Sequence, residues 1–192
     1  MEAQEFQPPI HRINVAKFHR MLEAGVLTED DRVELIDGEM RDMPPIGPIH
    51  SGCTNGLIRC LTQALGDLVL LNVQGPLALD GRSELYPDLL VLKLRDDLYQ
   101  TSHPTADDVW LLIEVSDTTL DYDRKTKLPK YARAGVPLYW IVDVPHKTIH
   151  EYRDPDRFAH RYRQTRSVST GAIAATLAGV EVRVDLMDLF HF

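Results

Sequence analysis

Two stretches of the chain, Leu89-Leu90-Val91-Leu92 and Leu111-Leu112-Ile113, are apolar without alternation. A strand with one face in water alternates apolar and polar residues, whereas a strand covered on both faces does not. These runs therefore predict central strands with structure packed on both sides. Each is bounded by a carboxylate. Asp88 precedes the first, in Tyr86-Pro87-Asp88, and Glu114 follows the second, in Ile113-Glu114-Val115-Ser116. A carboxylate at the border of a buried strand carries a large desolvation cost unless it is paired or binds a cation. Two of them on neighbouring strands would also repel. A divalent ion between them removes the repulsion, and Mg²⁺ takes such hard oxygen ligands. The alternative for either acid alone is a strand-end carboxylate that reaches solvent or bonds a nearby arginine.

Around these runs the pattern predicts a helix over about 15–26, capped by Asn14, with Val15, Phe18, Met21 and Leu22 on one face. A hairpin is expected from Arg32–Ile36 and Glu39–Met43, joined by Asp37-Gly38, because this dipeptide favours a type I′ turn. After the breaker-rich loop Pro44–Pro48, a second helix is expected over about 49–65, ending at Gly66. Strands follow at about 68–74, 84–94 and 109–116. A third helix would start at Asp121 or Asp123 and run to Ala134. Pro129 conflicts with that helix, so the helix either starts later than Asp123, with Pro129 in its first turn, or kinks. Strands at about 138–143, 147–153, 159–166 and 180–184 complete the pattern, with a short turn at Leu186–Leu189. The order predicts an α/β (α+β) fold, a mixed central sheet flanked by helices. A length of 192 residues predicts one domain over 1–192, with 1–13 as an N-terminal surface segment.

The bulk numbers narrow the function classes. The chain is 44% hydrophobic and 26% charged, ordinary for a globular protein in water. No window approaches the roughly 18 apolar residues of a membrane span. Met1-Glu2-Ala3-Gln4-Glu5 is acidic and unlike a signal peptide, so a cytoplasmic location is expected. Cys53 and Cys60 lie about 10 Å apart along the expected helix, beyond the reach of a disulfide at about 7 Å. A net charge of −8 argues against strong non-specific nucleic-acid binding and suits a site that collects divalent cations. There is no phosphate-binding loop of the Walker type, no GxGxxG and no GxSxG.

Beyond Glu114 lies the stretch Arg124-Lys125-Thr126-Lys127-Leu128-Pro129-Lys130-Tyr131-Ala132-Arg133, with five basic residues. Lys127 could orient an attacking water or stabilise charge on phosphate oxygens. The alternative is a solvated basic helix face. His146 and His150 have a spacing seen in metal sites, but they fall in an expected hairpin without a companion ligand. Asp143 reads as a turn starter before Pro145.

Taken in order, these stretches resemble the PD-(D/E)xK restriction-endonuclease-like superfamily, and within it the Uma-type family of restriction endonucleases. The resemblance rests on Val33–Glu39, Gly47–His50, Pro87-Asp88, Leu112–Ser116, Tyr122–Arg124, Lys127, Tyr131–Val136 and Tyr139–Asp143. It implies a metal-dependent nuclease core with Asp88 and Glu114 as metal ligands and Mg²⁺ or Mn²⁺ as cofactor. The superfamily usually carries its lysine two residues after the acid, where this chain has Ser116. Lys127 matches the lysine that the family places on the following helix, with Lys125 and Lys130 as fallback candidates. Glu34 and His50 match further family positions, as an additional metal or water ligand and as a proton shuttle or phosphate contact. Gln74 could line the pocket. Glu84, four residues before Asp88 on one strand face, could be an outer acid.

The implied activity is Mg²⁺-dependent endonucleolytic hydrolysis of DNA, with a possible homodimer as the functional unit. Two alternatives stay open: a non-catalytic binding or assembly module on a nuclease fold, and a metal-dependent phosphoesterase for another substrate. An open groove lined by Lys125, Lys130 and Arg133 would favour a nucleic acid. A narrow closed pocket would favour a small phosphoester.

Overall fold

The computed structural model describes residues 9–28 and 30–190. Met1–Glu5 and the rest of 1–8 lie outside the described residues. Helix α1 (Val15–Glu23) begins at Asn14, whose side chain accepts from the Lys17 amide. It ends three residues short of the expected limit. The hairpin of β1 (Val33–Ile36) and β2 (Glu39–Asp42) turns at Asp37 and Gly38, with φ of 50° and 83°. Both values are positive, as a type I′ turn requires. Helix α2 (Pro48–Leu65) starts on a proline, where a helix needs no amide donor.

Strands β3 (Val69–Val73), β4 (Leu77–Asp80), β5 (Ser83–Leu85) and β6 (Leu89–Lys93) follow, then β7 (Val109–Ser116). The connection to β8 (Leu138–Asp143) is helical in three parts: α3 (Leu120–Tyr122), a π-helical turn (Asp123–Lys127) and α4 (Leu128–Ala134). The chain continues through β9 (Thr148–Asp156), β10 (Arg161–Val168), β11 (Ala172–Leu177), β12 (Val180–Asp185) and α5 (Leu186–Leu189).

Six of these strands form the central sheet, in the order β10-β9-β8-β7-β6-β3. Only β7 and β8 run parallel, because the α3–α4 crossover returns the chain to the same end of the sheet. A second sheet has the order β2-β1-β5-β4, and β11 pairs with β12. No helix among the described residues is long and apolar enough to cross a membrane.

The uninterrupted apolar runs have the predicted consequence. Leu89, Val91, Leu111 and Ile113 pack with Leu57 and Leu61 of α2 and with Ile173 of β11. Leu90, Leu92 and Leu112 point the other way, toward Tyr131 and Ala132 of α4 and Leu85 of β5. Cys53 and Cys60 are free thiols, and burial raises the Cys53 pKa to about 11.

Two expectations need correction. The strand over 84–94 is two strands in two sheets. β5 pairs with β1 and β4, whereas β6 pairs with β3 and β7. The chain changes sheet at Tyr86-Pro87-Asp88, where Pro87 has no amide to give a ladder. Glu84 and Asp88 therefore do not share a strand face. Strands β4 and β11 were not expected. Of the two expectations for Pro129 the structure takes the first: α4 starts at Leu128 with Pro129 in its first turn, and an unforeseen π-helical turn precedes it.

The turn at Gly38 supports a direct test. A Cβ there would lie 2.6 Å from the Ile13 carbonyl oxygen and 2.8 Å from Arg12 Cβ. With the positive φ, Gly38→Ala should cost about 1–3 kcal/mol. A shift of the urea midpoint at unchanged m-value would show it; an unmoved midpoint would refute the steric account.

Candidate active site

Asp88 and Glu114 come from antiparallel neighbours. Leu89 pairs with Ile113 across β6 and β7. One more step along that ladder sets Asp88 opposite Glu114. The Val115 amide donates to Asp88 Oδ2 at 2.8 Å, which holds the carboxylate at the start of β6. The same oxygen lies 3.0 Å from Nε2 of His50, in the first turn of α2. The hydrogen bond to Asp88 raises the His50 pKa above its ordinary value, against the opposing effect of burial, and Asp117 adds to the rise. His50 Nδ1 is buried and has no hydrogen-bond partner among the described residues.

Glu114 is held on its Oε1 by two donors. Lys127 Nζ lies 3.0 Å away and Tyr131 Oη donates at 2.6 Å. Lys127 Nζ is also 3.6 Å from Glu34 Oε2 and 4.0 Å from Asp123 Oδ1. Glu34, Glu114, Asp123 and Lys127 are all buried. Tyr122 donates to Glu34 Oε1 at 2.9 Å, and Ser116 and Thr119 hydroxyls donate to Asp123 Oδ2 at 2.7 Å each.

Burial raises the Glu114 pKa well above the usual carboxylate range, with the Lys127 charge offsetting part of it. Burial raises Asp123 in the same way, against Lys127 and the two hydroxyls. For Lys127, burial opposes the charged form, but Glu114, Glu34 and Asp123 outweigh it and hold the ammonium above its ordinary pKa. A lysine fixed in its charged form is the outcome.

These groups line one cleft of about 610 Å³, with Gln74, Tyr86, Asp31, Arg32 and Asp117 on its walls. Asp88, Glu114, Lys127, Glu34 and His50 are thus brought together, and Gln74 joins them. The Gln74 amide donates to the Asp88 carbonyl at 3.2 Å, from a backbone with φ of 51°. Lys127 comes from the helical crossover and meets Glu114, while Ser116, in the usual lysine position, bonds Asp123.

Lys125 and Lys130 do not line the cleft. Lys125 is exposed and pairs with Asp121 at 2.8 Å; Lys130 pairs with Asp37. Helical residues advance about 100° each, so a side chain two positions from Lys127 points nearly the opposite way. Arg133 also lies outside the cleft, 3.6 Å from Asp80. His146 and His150 both bond Asp143, at 2.8 and 3.3 Å. Asp143 is therefore more than a turn starter.

Asp123, Tyr122 and Tyr131 belong to the site and were not singled out from sequence. A signal was present: Asp123, Lys127 and Tyr131 recur every four residues, the spacing of one helix face. The ligand atoms facing the cleft are chiefly carboxylate oxygens, and Glu34 Oε2 is buried without a hydrogen-bond donor among the described residues. That set fits a hard divalent cation.

A mixed sheet with two acids on adjacent strands and a lysine from the next helix is a restriction-endonuclease-like core. The chain belongs to the Uma2 family, described as "Putative restriction endonuclease", whose model matches residues 15–185. A crystal structure of "a putative nuclease belonging to DUF820" from Anabaena variabilis has the same fold, with a TM-score of 0.69 over 93% of this chain and 98% of that one. The two are 16% identical, so the likeness is one of fold. A comparison with curated proteins gives no match.

Two tests follow from the charges. The His50–Asp88 pair contributes stability that is complete below the ordinary histidine pKa of 6.5 and is lost as pH rises through the higher folded value. In a series of Tm against pH, the fall above about pH 6.5 should flatten in His50→Gln; an identical slope would remove this pair as its source. Lys127→Met leaves the three carboxylates unpaired and should cost about 3–5 kcal/mol near pH 8. The loss should be smaller at pH 5 than at pH 8, because acid lets the buried carboxylates take up protons. Equal losses at the two pH values in urea unfolding would contradict the charge account.

Proposed function

We propose that the protein is a nuclease that hydrolyses phosphodiester bonds in DNA, with Mg²⁺ or Mn²⁺ as its cofactor. The observation that carries this reading is the meeting of Asp88 and Glu114 across β6 and β7, with Lys127 Nζ 3.0 Å from Glu114. Membership of a family described as restriction endonucleases points the same way.

Asp88 and Glu114 would hold the ion, with Glu34 as a further carboxylate ligand or water acceptor. The bound ion would supply Lewis acidity at the phosphate and a water of lowered pKa. Lys127 offers a fixed ammonium to a phosphate oxygen or to the attacking water. Asp123, Tyr122 and Tyr131 position it through the contacts described above. His50 orients Asp88 and carries a proton at the cleft wall that a leaving oxygen could take.

The acidity of the cleft explains the need for a cation. Asp31, Glu34, Asp88, Glu114, Asp117 and Asp123 line it, against Arg32, Lys127 and His50. A polyanion would be repelled from such a wall until divalent charge is bound. Cleavage of both strands of a duplex takes two sites, which a homodimer would supply.

One observation favours a second reading. Lys125, Lys130 and Arg133 lie outside the cleft, and its volume is that of a small-molecule pocket. A phosphoesterase acting on a small diester would use the same residues. Supercoiled DNA, single-stranded DNA and bis(p-nitrophenyl) phosphate, each with Mg²⁺ or Mn²⁺, separate the two. The DNA substrates should be cut, and Asp88→Ala and Glu114→Ala should each lose at least about 100-fold in rate. Turnover of the small diester alone would replace the nuclease reading with the second one. No hydrolysis under either metal, from protein with an intact thermal transition, would leave a binding module.

A further inference from the structure

A second set of ligands lies outside the cleft. His19 of α1, Glu84 of β5 and His103, in the loop between β6 and β7, each present one ligand atom within 4.8 Å of the others. Among the described residues this is the one such group of three. The residues are far apart in sequence, so the fold assembles them.

Glu84 is 1% exposed. Both its oxygens lie 2.9 Å from His19 Nε2, and Tyr86 Oη donates to Oε1 at 3.3 Å. No fixed cation touches this carboxylate among the described residues, although a buried carboxylate carries a high desolvation cost. An imidazole and a phenol compensate it only partly. A metal ion would complete the compensation, and the Tyr86 hydroxyl is the kind of outer donor that fixes a ligating carboxylate.

The ring geometry agrees with a tetrahedral ion. Zn–N bonds of about 2.0–2.1 Å, extended by a ring radius of about 1.1 Å, put two tetrahedrally placed imidazole centroids about 5.2 Å apart. The His19 and His103 centroids are 5.5 Å apart, with the rings at 84°. Two nitrogens and one carboxylate are the donor set of a three-ligand zinc site with an open fourth position. Such donors favour zinc-class ions over Mg²⁺. His103 is exposed, so the ion has a path from solvent.

We propose that His19, Glu84 and His103 bind one transition-metal ion of the zinc class at a site separate from the acidic cleft. The ion ties α1, β5 and the His103 loop together. It also braces the cleft wall, because Phe18, beside His19, and Tyr86, bonded to Glu84, both line that cleft.

With Mg²⁺ in excess to fill the cleft, the full chain, without a histidine tag, should bind one Zn²⁺ per molecule in isothermal titration. Co²⁺ should give the visible absorption of a tetrahedral N/O site. His103→Ala removes an exposed ligand without touching the core. It should weaken Zn²⁺ binding by at least about 10-fold and abolish the Zn²⁺-dependent rise in Tm. Asp88→Ala should leave both unchanged. Absence of Zn²⁺ binding, equal binding by His103→Ala, or loss of binding in Asp88→Ala alone would each overturn the proposal.

Discussion

The ammonium of Lys127 is the charge on which the cleft depends. Three buried carboxylates converge on it from different parts of the chain. Glu34 comes from β1 of the small sheet, Glu114 from β7 of the central sheet and Asp123 from the π-helical turn. Taking four charges out of water costs several kcal/mol for each ion, and mutual attraction repays this only with good geometry. An apolar cluster of the same volume would serve stability as well or better. The arrangement is therefore poorly explained as a device for stability. It is well explained as a device for holding carboxylates close together at the wall of a cleft. Both tyrosine hydroxyls act in the same sense. Tyr122 and Tyr131 give hydrogen bonds to Glu34 and Glu114 without adding charge.

The helix that brings Lys127 there is itself a compromise. A regular α-helix through 120–134 would set the ring of Pro129 against the carbonyl of Lys125 and leave that carbonyl without a donor. The chain inserts a π-helical turn instead, closed by the Leu128 amide on the Asp123 carbonyl. The wider turn takes up one extra residue, and Pro129 falls where an amide is not needed. Lys127 is the last residue of that turn. Single π turns inside helices often sit at functional positions, because they re-aim side chains at modest cost. Here the turn presents Asp123 and Lys127 to the cleft, while Lys125 turns to solvent.

Much of the fold was legible because its strongest patterns are local. The hairpin at Asp37-Gly38, the cap at Asn14 and the uninterrupted runs around Leu90 and Leu112 each follow from neighbouring residues. Strand β11 was not legible: Ala172-Ile173-Ala174-Ala175-Thr176-Leu177 is alanine-rich and has weak strand propensity, although Ile173, Ala175 and Leu177 alternate inward. β4 hid between Gly75-Pro76 and Asp80-Gly81, which read as breakers. The split of 84–94 depends on which sheet each half joins, and no window along the chain contains that information. In the cleft, the acids at strand ends stood out because they interrupt apolar runs. The donors that hold them did not, because tyrosines in a helix read as core.

Tyr86-Pro87-Asp88 shows how one local break organises the wider site. Before it, Glu84 lies in the small sheet and faces His19. After it, Asp88 stands at the mouth of the central sheet and faces His50. A continuous strand would have pointed both carboxylates to one side and crowded like charges. The change of sheet separates them and gives each its own imidazole. It also gives them different environments. The charged side chains lining the cleft around Asp88 are mainly carboxylates, a hard oxygen set. The neighbours of Glu84 are imidazoles, a softer nitrogen set. Metal selectivity rests on donor type and geometry more than on raw affinity, so the two environments would suit different ions. A step of four residues across the change of sheet is enough to create that difference here.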